Sequence, residues 1–135
     1  MKINMSFQKE REAVNTVLGN FAEVLNTAQT ASIPDFFDQD GIFIPEGMKK
    51  IIGRDQLGTT DKGYLRRSNF KISYAVKEIA IEGDFAFVEA FAITTENRIS
   101  DLKLLTKTST DFFILKKTAE RWKIYRYIFN NVREV

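Results

Sequence analysis

The chain has 135 residues, no cysteine and no histidine, and its 20 basic and 18 acidic residues leave a net charge of +2. This composition excludes disulfides, thiolate and imidazole metal sites, and nucleophilic sites built on cysteine or histidine, so acid–base chemistry would fall to carboxylates, tyrosine or lysine. The balanced charge favours neither nucleic acid nor an acidic membrane surface as a partner. Because no apolar run is long enough for a signal peptide or a bilayer span, we expect one cytoplasmic domain over 1–135.

Two helices are predicted in the first third of the chain. Apolar residues recur at three- and four-residue spacing over 7–28, which is typical of an amphipathic helix, and Ser6 is its candidate N-cap. A second, short helix is predicted to begin at Ser32, where Asp35 completes a capping-box pattern and Pro34 fits the first turn.

The apolar period then changes from that of helices to that of strands. The segment GIFIP (41–45) predicts a short strand, and a turn leads to a second extended segment at 51–53. Residues 54–66 predict a loose third helix, because Gly58 and Gly63 each weaken it by about 1 kcal/mol relative to alanine.

The second half of the chain is predicted to form a meander of antiparallel strands. A slip in the alternation indicates a bulge near Lys77 and Glu78, and EGD (82–84) predicts a tight hairpin turn. The four strands are expected at 68–83, 84–97, 104–117 and 121–132. Together these elements predict an α+β fold, with helices on one face of a curved, mostly antiparallel sheet.

The segment DFFDQDGIFIPEGM (35–48) carries four carboxylates and invites comparison with a calcium loop. Setting Gly41 as the loop glycine aligns Asp38 and Asp40 with ligand positions, but both end ligands are missing. We therefore expect these acids to lie in a solvated helix-to-strand corner, where aspartate favours local backbone hydrogen bonds. No metal or organic cofactor is implied.

The order of these elements resembles the nuclear transport factor 2-like (NTF2-like) superfamily, and within it the SnoaL-like and ketosteroid-isomerase-like proteins. The likeness rests on VLGNFAEVLNTAQTASIPDFFDQDGIFIP, GRDQL, EGDFAFVEAFAIT, TDFFILKK and RWKIYRYIFN, which cover nearly the whole chain. The resemblance implies a cone-shaped roll, in which a strongly curved sheet wraps the helices around an interior pocket. It also implies dimers, and functions that range from isomerases, cyclases and dehydratases to non-enzymatic binding or assembly modules.

Alignment with ketosteroid isomerases implies that most of their catalytic groups are missing here. Pro45 stands where the carboxylate base would be, and Glu46 is one residue further along, where a strand side chain points to the opposite face. Phe21 matches the oxyanion tyrosine of the first helix and has no hydrogen to donate. Asp111 matches the remaining acid, on the penultimate strand.

A different pair of acids is predicted to point into the cone. By alternation and by the resemblance, Glu89 and Asp111 form its polar centre with Tyr125 and Tyr127, where burial raises a carboxyl pKa and neighbouring acids titrate together. The ligand-binding residues of this pocket are predicted to be Phe21, Tyr74, Phe87, Phe91, Phe113, Tyr125, Tyr127 and Phe129. In the alternative interpretation, Glu89 faces a dimer partner, or both acids belong to structural hydrogen-bond networks.

Two classes of function follow from these residues. The first is a non-catalytic domain that binds a small apolar ligand in a conical pocket, which the missing base and oxyanion tyrosine favour. The alternative is a cofactor-independent isomerase, cyclase or dehydratase that uses carboxylate acid–base chemistry on an apolar carbonyl compound.

A homodimer is predicted to form through the outer face of the sheet. The alternation assigns five apolar residues to that face, namely Ala86, Val88, Ala90, Phe112 and Ile114. Trp122 is predicted to pack in the core or on the sheet, and Arg126 to pair with an acid across the sheet or across the dimer interface.

Overall fold

The computed structural model describes residues 2–57 and 63–135, with side chains from Ser6 onward at the N-terminal end. The long helix α1 spans Lys2–Asn26 and is followed by a 3-10 helix over Thr30–Phe36. Two single-turn helices come next, α2 at Arg54–Leu57 and α3 at Tyr64–Arg67. Among the described helices, none is long and apolar enough to cross a membrane.

Two predicted helix starts are wrong. Helix α1 begins before Ser6, so this residue lies inside the helix instead of capping it. The second helix starts at Thr30 with Gln29 as its N-cap residue, and no side chain caps it, so Ser32 and Asp35 form no capping box. The predicted third helix consists of α2 and α3, and its Gly58 lies outside the described residues.

Six strands form one sheet, and the last four are those that the alternating second half of the sequence predicts. They are β1 (Phe37–Ile44), β2 (Ile51–Ile52), β3 (Lys71–Glu82), β4 (Phe85–Asn97), β5 (Leu104–Thr118) and β6 (Arg121–Glu134). Their order is β2-β1-β6-β5-β4-β3, and every neighbouring pair is antiparallel except β1 and β6. The α+β roll with helices on the concave face of a mostly antiparallel sheet is therefore confirmed.

The acidic segment after the 3-10 helix is part of β1 and interrupts its pairing with β6. The register shifts between Phe37 and Ile42, so the intervening residues form a bulge. Gly41 fits this bulge closely, because a Cβ atom would lie 3.0 Å from both the Asp38 carbonyl oxygen and the Phe37 ring, and these groups would have to move to accept it. The Asp38 carboxylate accepts a hydrogen bond from the Asp40 amide at 3.0 Å, which is the local bonding expected for these acids.

The core lies between α1 and the concave face of the sheet. Val14, Leu18 and Phe21 form the buried stripe of α1, and Trp122 is buried against the same cluster, as predicted. The end of α1 is fixed to β3 by Asn26, whose side chain both donates to and accepts from the backbone of Ile72. The long helix and the meander are thus held together by apolar burial and by polar contacts that include an ion pair of Glu10 with Lys117 on β5.

The predicted faces of β4 are reversed. Ala86, Val88 and Ala90 are buried in the core, whereas Glu89 is exposed on the outer face, where Phe91 is 38% exposed. Both faces of β4 are apolar, so alternation alone could not orient the strand. In β4 the small side chains lie on the concave side, in the core, and the large rings lie on the convex side.

The faces of β5 are as predicted. Asp111 and Phe113 point into the core, whereas Phe112, 37% exposed, and the half-buried Ile114 lie on the outer face. The bulge predicted in β3 is confirmed by a register shift between Val76 and Glu78.

Candidate functional site

A buried carboxyl group lies at the polar centre of the cone. Asp111 is only 1% exposed, and it lies on the inward face of β5. Its two oxygens accept hydrogen bonds from the Ser109 hydroxyl at 2.5 Å and from the Tyr127 hydroxyl at 2.6 Å. Burial raises the pKa of the Asp111 carboxyl above its ordinary value, and the two hydroxyl donors oppose this rise.

The hydrogen-bond chain continues from Tyr127 to a second tyrosine. The hydroxyl oxygens of Tyr127 and Tyr74 lie 2.8 Å apart. Burial raises the pKa of both phenols well above the ordinary value, so both stay protonated at neutral pH. Since each phenol has one hydrogen, Tyr127 donates to an ionised Asp111 and Tyr74 then donates to Tyr127.

Aromatic rings surround this chain. Phe113 stacks on Tyr127 with ring centres 4.2 Å apart, and Phe43 lies at 5.0 Å from the same ring. Phe21 and Phe129 contact Tyr127 at centre distances of 6.0 and 6.1 Å. Phe21, Tyr74, Phe113, Tyr127 and Phe129 therefore lie inside the cone, and their rings make the surroundings of Asp111 strongly apolar. Their role in ligand binding stays a prediction.

Four of the predicted site residues lie elsewhere. Phe87, Glu89 and Phe91 are on the outer face because β4 is oriented the other way round. Tyr125 sits at a register shift in the β5–β6 pairing and packs on Phe85, also outside the cone. Glu89 pairs across the strands with Phe112, whereas Asp111 pairs with Ala90, so the two acids occupy opposite faces of the sheet.

The positions aligned with the ketosteroid isomerase groups have structural roles. Pro45 is buried, and the Glu46 carboxylate is exposed and accepts a hydrogen bond from the Val132 amide at 3.3 Å. Phe21 is a core residue in contact with Phe36 and Phe37. Asp111 alone therefore occupies a position from which a carboxyl group could reach the interior.

Two open clefts lie on the outside of α1 and are separate from this centre. One, of about 360 Å³, lies between α1 and the β5–β6 hairpin and is lined by Ala13, Val17, Asn20, Asp35, Phe36, Glu120, Arg121, Trp122 and Lys123. The other, of about 440 Å³, is lined by Phe7, Gln8, Arg11, Ala80 and Ile81. Neither cleft includes Asp111, Tyr127 or Tyr74.

Sequence reasoning missed two residues at the centre. Ser109 lies two residues before Asp111, so the strand period places both on one face and could have identified it. Phe43 was harder to find, because the bulge in β1 changes which of its residues face inward.

Comparison with solved structures shows that the fold is that of the NTF2-like proteins. An NTF2-like protein with a cystatin-like fold from Novosphingobium aromaticivorans superposes with a TM-score of 0.82 at 13% identity, covering 95% of this chain and 85% of that one. A ketosteroid isomerase-like protein from Erwinia carotovora atroseptica gives a TM-score of 0.73 at 21% identity, covering 87% and 92%. A hexachlorocyclohexane dehydrochlorinase (LinA) of type 2 superposes with a TM-score of 0.86 at 9% identity, and the match covers 98% of this chain and 93% of that one.

No family model matches the sequence, and no curated protein matches it. The resemblance to the NTF2-like superfamily is thus confirmed as a shared fold. At these identities the comparisons carry no assignment of activity, since the fold supports both enzymes and other functions.

Proposed function

We propose that this chain is a non-catalytic binding domain whose cone takes one small apolar molecule next to Tyr74. The observation that carries the proposal is the fully bonded Asp111 in its shell of aromatic rings. The rings of Tyr74, Phe43 and Phe129 are only half-buried, so they form the part of this shell that an incoming molecule can contact.

Binding is favoured over catalysis because no proton in the centre is free for chemistry. An ionised Asp111 receives hydrogen bonds from Ser109 and Tyr127, and Tyr74 donates to Tyr127. General acid–base catalysis needs a group within hydrogen-bond reach of the substrate and able to exchange its proton. Glu89 cannot serve as a second acid, because it lies on the opposite face of the sheet.

The hydrogen-bond chain also indicates which ligand chemistry fits. At the end of the chain the Tyr74 oxygen has used its hydrogen but keeps an acceptor site. A flat apolar molecule with one hydroxyl group, such as a substituted phenol, can donate to this oxygen and stack on the neighbouring rings. A molecule that offers only a carbonyl acceptor finds no donor while Asp111 is ionised.

The experiment compares small phenols with hydrocarbons of the same shape by calorimetry and by thermal shift. The phenol should bind about tenfold more tightly than its hydrocarbon, which corresponds to one hydrogen bond. Tyr74→Phe should remove this difference and leave hydrocarbon binding unchanged. Tyr125→Phe is the matched control, because Tyr125 lies on the outer face and its substitution should change neither affinity.

Two results would contradict the binding proposal. The first is that phenol and hydrocarbon bind the unaltered protein with equal affinity, and that both change the NMR chemical shifts only of residues outside the cone. The other is turnover of an apolar carbonyl compound that is lost in Asp111→Asn. The second result would establish the alternative function, a cofactor-independent isomerase, cyclase or dehydratase.

We also propose that the protein forms a homodimer through the outer face of the sheet. Three large side chains are exposed there, since Phe91 is 38%, Ile93 44% and Phe112 37% accessible. Contiguous apolar surface of this kind marks interaction sites. Sedimentation at micromolar concentration should give twice the mass of the chain, and a monomer there would contradict the dimer without affecting the ligand proposal.

A further inference from the structure

The cleft between α1 and the β5–β6 hairpin, here called the hairpin cleft, has an apolar floor. Its residues on α1 are Ala13, Val17 and Asn20, whose spacing of four and three places them on one stripe of the helix. Ala13 and Val17 are half-buried and lie beside the core residues Val14 and Leu18. The volume of about 360 Å³ falls within the range of about 300–1,000 Å³ that is typical of small-molecule sites.

Two aromatic side chains complete the apolar part of the hairpin cleft. Phe36, at the end of the 3-10 helix, is half-buried, and Trp122, at the start of β6, is 5% exposed. The Lys117 ammonium lies 5.8 Å from the centre of the indole ring and 2.8 Å from the Glu10 carboxylate, and these contacts hold the ring in place. Aromatic rings in such a wall favour a flat aromatic ligand, which can stack on them or meet them edge to face.

The indole N–H of Trp122 lacks an acceptor. Its nitrogen is buried and has no hydrogen-bond partner among the residues that the structure describes. A buried donor left in this state costs about 1–3 kcal/mol. Because the nitrogen is closed to solvent, an acceptor in the cleft reaches it only when the ring or a neighbouring side chain shifts. A ligand that brings an acceptor group therefore gains a hydrogen bond that the protein does not make by itself.

The rim of the hairpin cleft carries two paired acids and one unpaired cation. The Asp35 carboxylate lies 3.5 Å from the Arg54 guanidinium, and the Glu120 carboxylate lies 3.7 Å from the Lys117 ammonium. Arg121, which is exposed, takes part in no ion pair between described residues. Its guanidinium is thus available to an anionic group on a ligand, and a carboxylate matches the fork of its donors.

We propose that the hairpin cleft binds an aryl carboxylate, a flat aromatic molecule that carries a single carboxylate group. The aromatic body packs against Phe36 and Trp122, and the carboxylate pairs with Arg121. A monoanion is favoured over a phosphate ester, because Asp35 and Glu120 on the same rim repel a second negative charge. This site lies outside the cone, so the inference goes beyond the proposed function and does not depend on it.

The single tryptophan of the chain provides a specific reporter for this site. Titration of the ¹⁵N-labelled protein with 2-naphthoate should shift the one indole N–H signal, and calorimetry should give the dissociation constant. The uncharged 2-naphthamide has the same aromatic body but cannot form the ion pair. It should therefore bind about tenfold more weakly than 2-naphthoate.

Three variants test the assigned contacts. Arg121→Gln should weaken 2-naphthoate binding about tenfold and leave 2-naphthamide binding unchanged. Arg133→Gln is the matched control, since Arg133 is exposed on the same strand and lies outside the cleft, and it should change neither affinity. Ala13→Leu places a larger side chain in the floor and should weaken both compounds, and circular dichroism checks that each variant is folded.

Three results would overturn the inference. An indole N–H signal that stays in place during the titration would show that 2-naphthoate does not occupy the cleft. Equal binding of 2-naphthoate by the unaltered protein and by Arg121→Gln would remove the ion pair. Loss of 2-naphthoate binding in Tyr74→Phe would assign the ligand to the cone. Failure of phenols to bind, by contrast, would overturn the proposed function alone and leave the hairpin cleft as an aryl carboxylate site.

Discussion

At the scale of single residues, the environment of Asp111 decides how it titrates. The carboxyl is withdrawn from water, which favours its neutral form, while Ser109 and Tyr127 stabilise the ion by donating hydrogen bonds. Burial is the larger of these effects, so the pKa of Asp111 lies above its ordinary value of 3.8. The folded protein therefore holds the proton of this residue at pH values where the unfolded chain has released it.

This difference predicts how Asp111 changes stability with pH. As pH rises from about 3.8 through the raised pKa of the folded state, the free energy of unfolding falls, and above that window it stays level. Asparagine does not titrate, so the free energy of unfolding of Asp111→Asn lacks this pH-dependent contribution. Urea unfolding from pH 4 to pH 8 should therefore show that the stability of the unaltered protein declines relative to that of Asp111→Asn.

Asp101 provides a control, because its pKa is shifted in the opposite direction from that of Asp111. Hydrogen bonds from Arg98 lower the pKa of its carboxyl to about 2. Its contribution is present above pH 3.8 and is lost as pH falls towards 2, so the stability of the unaltered protein relative to Asp101→Asn should rise between pH 2 and pH 4 and stay level from pH 4 to pH 8. A relative stability of Asp111→Asn that is constant between pH 4 and pH 8 would show that burial does not shift Asp111.

At the scale of the elements, the turn between β5 and β6 has an unusual backbone. Ala119 and Glu120 both have positive φ, 52° and 65°. Two-residue hairpins with positive φ at both positions normally use Asn-Gly, because an L side chain is strained in the left-handed region. The hairpin was located by the apolar alternation of its strands, since the letters TAE carry no such turn signal.

Replacing this turn sequence should stabilise the protein. Glu120→Gly should raise the free energy of unfolding by about 1 kcal/mol, because glycine adopts positive φ without the steric cost. The ion pair lost is a weak one, since Glu120 is almost fully exposed and lies 3.7 Å from Lys117. Chemical denaturation measures the change.

The same substitution on a helix should act in the opposite direction. Glu12 is exposed on α1, so Glu12→Gly should lower the free energy of unfolding by about 1 kcal/mol. Destabilisation by Glu120→Gly would mean that the left-handed turn is not strained or that its side chain contributes more than its exposure indicates.

Strand β4 shows which properties of a strand can be predicted from the sequence and which cannot. Its existence and its limits follow from alternating apolar residues, and the turn before it follows from EGD, with Gly83 at φ 59°. Its orientation does not follow, because both faces of the strand are apolar and alternation alone cannot tell which face is buried. This one reversal moved Phe87, Glu89 and Phe91 out of the predicted site, whereas Asp111 on β5 was placed on the correct face.

At the scale of the whole molecule, the helices of the described residues cover one face of the sheet and leave the other face uncovered. The order of elements was sufficient to predict this arrangement, and structures of 9 to 21% identity share it. The packing of the outer face was not predictable to the residue, because the large exposed rings were assigned to the interior. A sheet with Phe91, Ile93 and Phe112 exposed gains stability when a second copy covers it.

Mass action then links stability to protein concentration. If the folded protein is a dimer, a tenfold higher concentration favours it by about 1.4 kcal/mol per dimer, so the thermal midpoint should rise with concentration.

Phe112→Lys places a charge at the centre of the face and should abolish the rise while the chain stays folded, since Phe112 lies outside the core. Met48→Lys changes a loop residue that is 71% exposed, so the thermal midpoint of this variant should still rise with concentration. Scanning calorimetry over a hundredfold range of concentration measures all three proteins, and a midpoint of the unaltered protein that stays constant would mean that the outer face is not buried in a dimer.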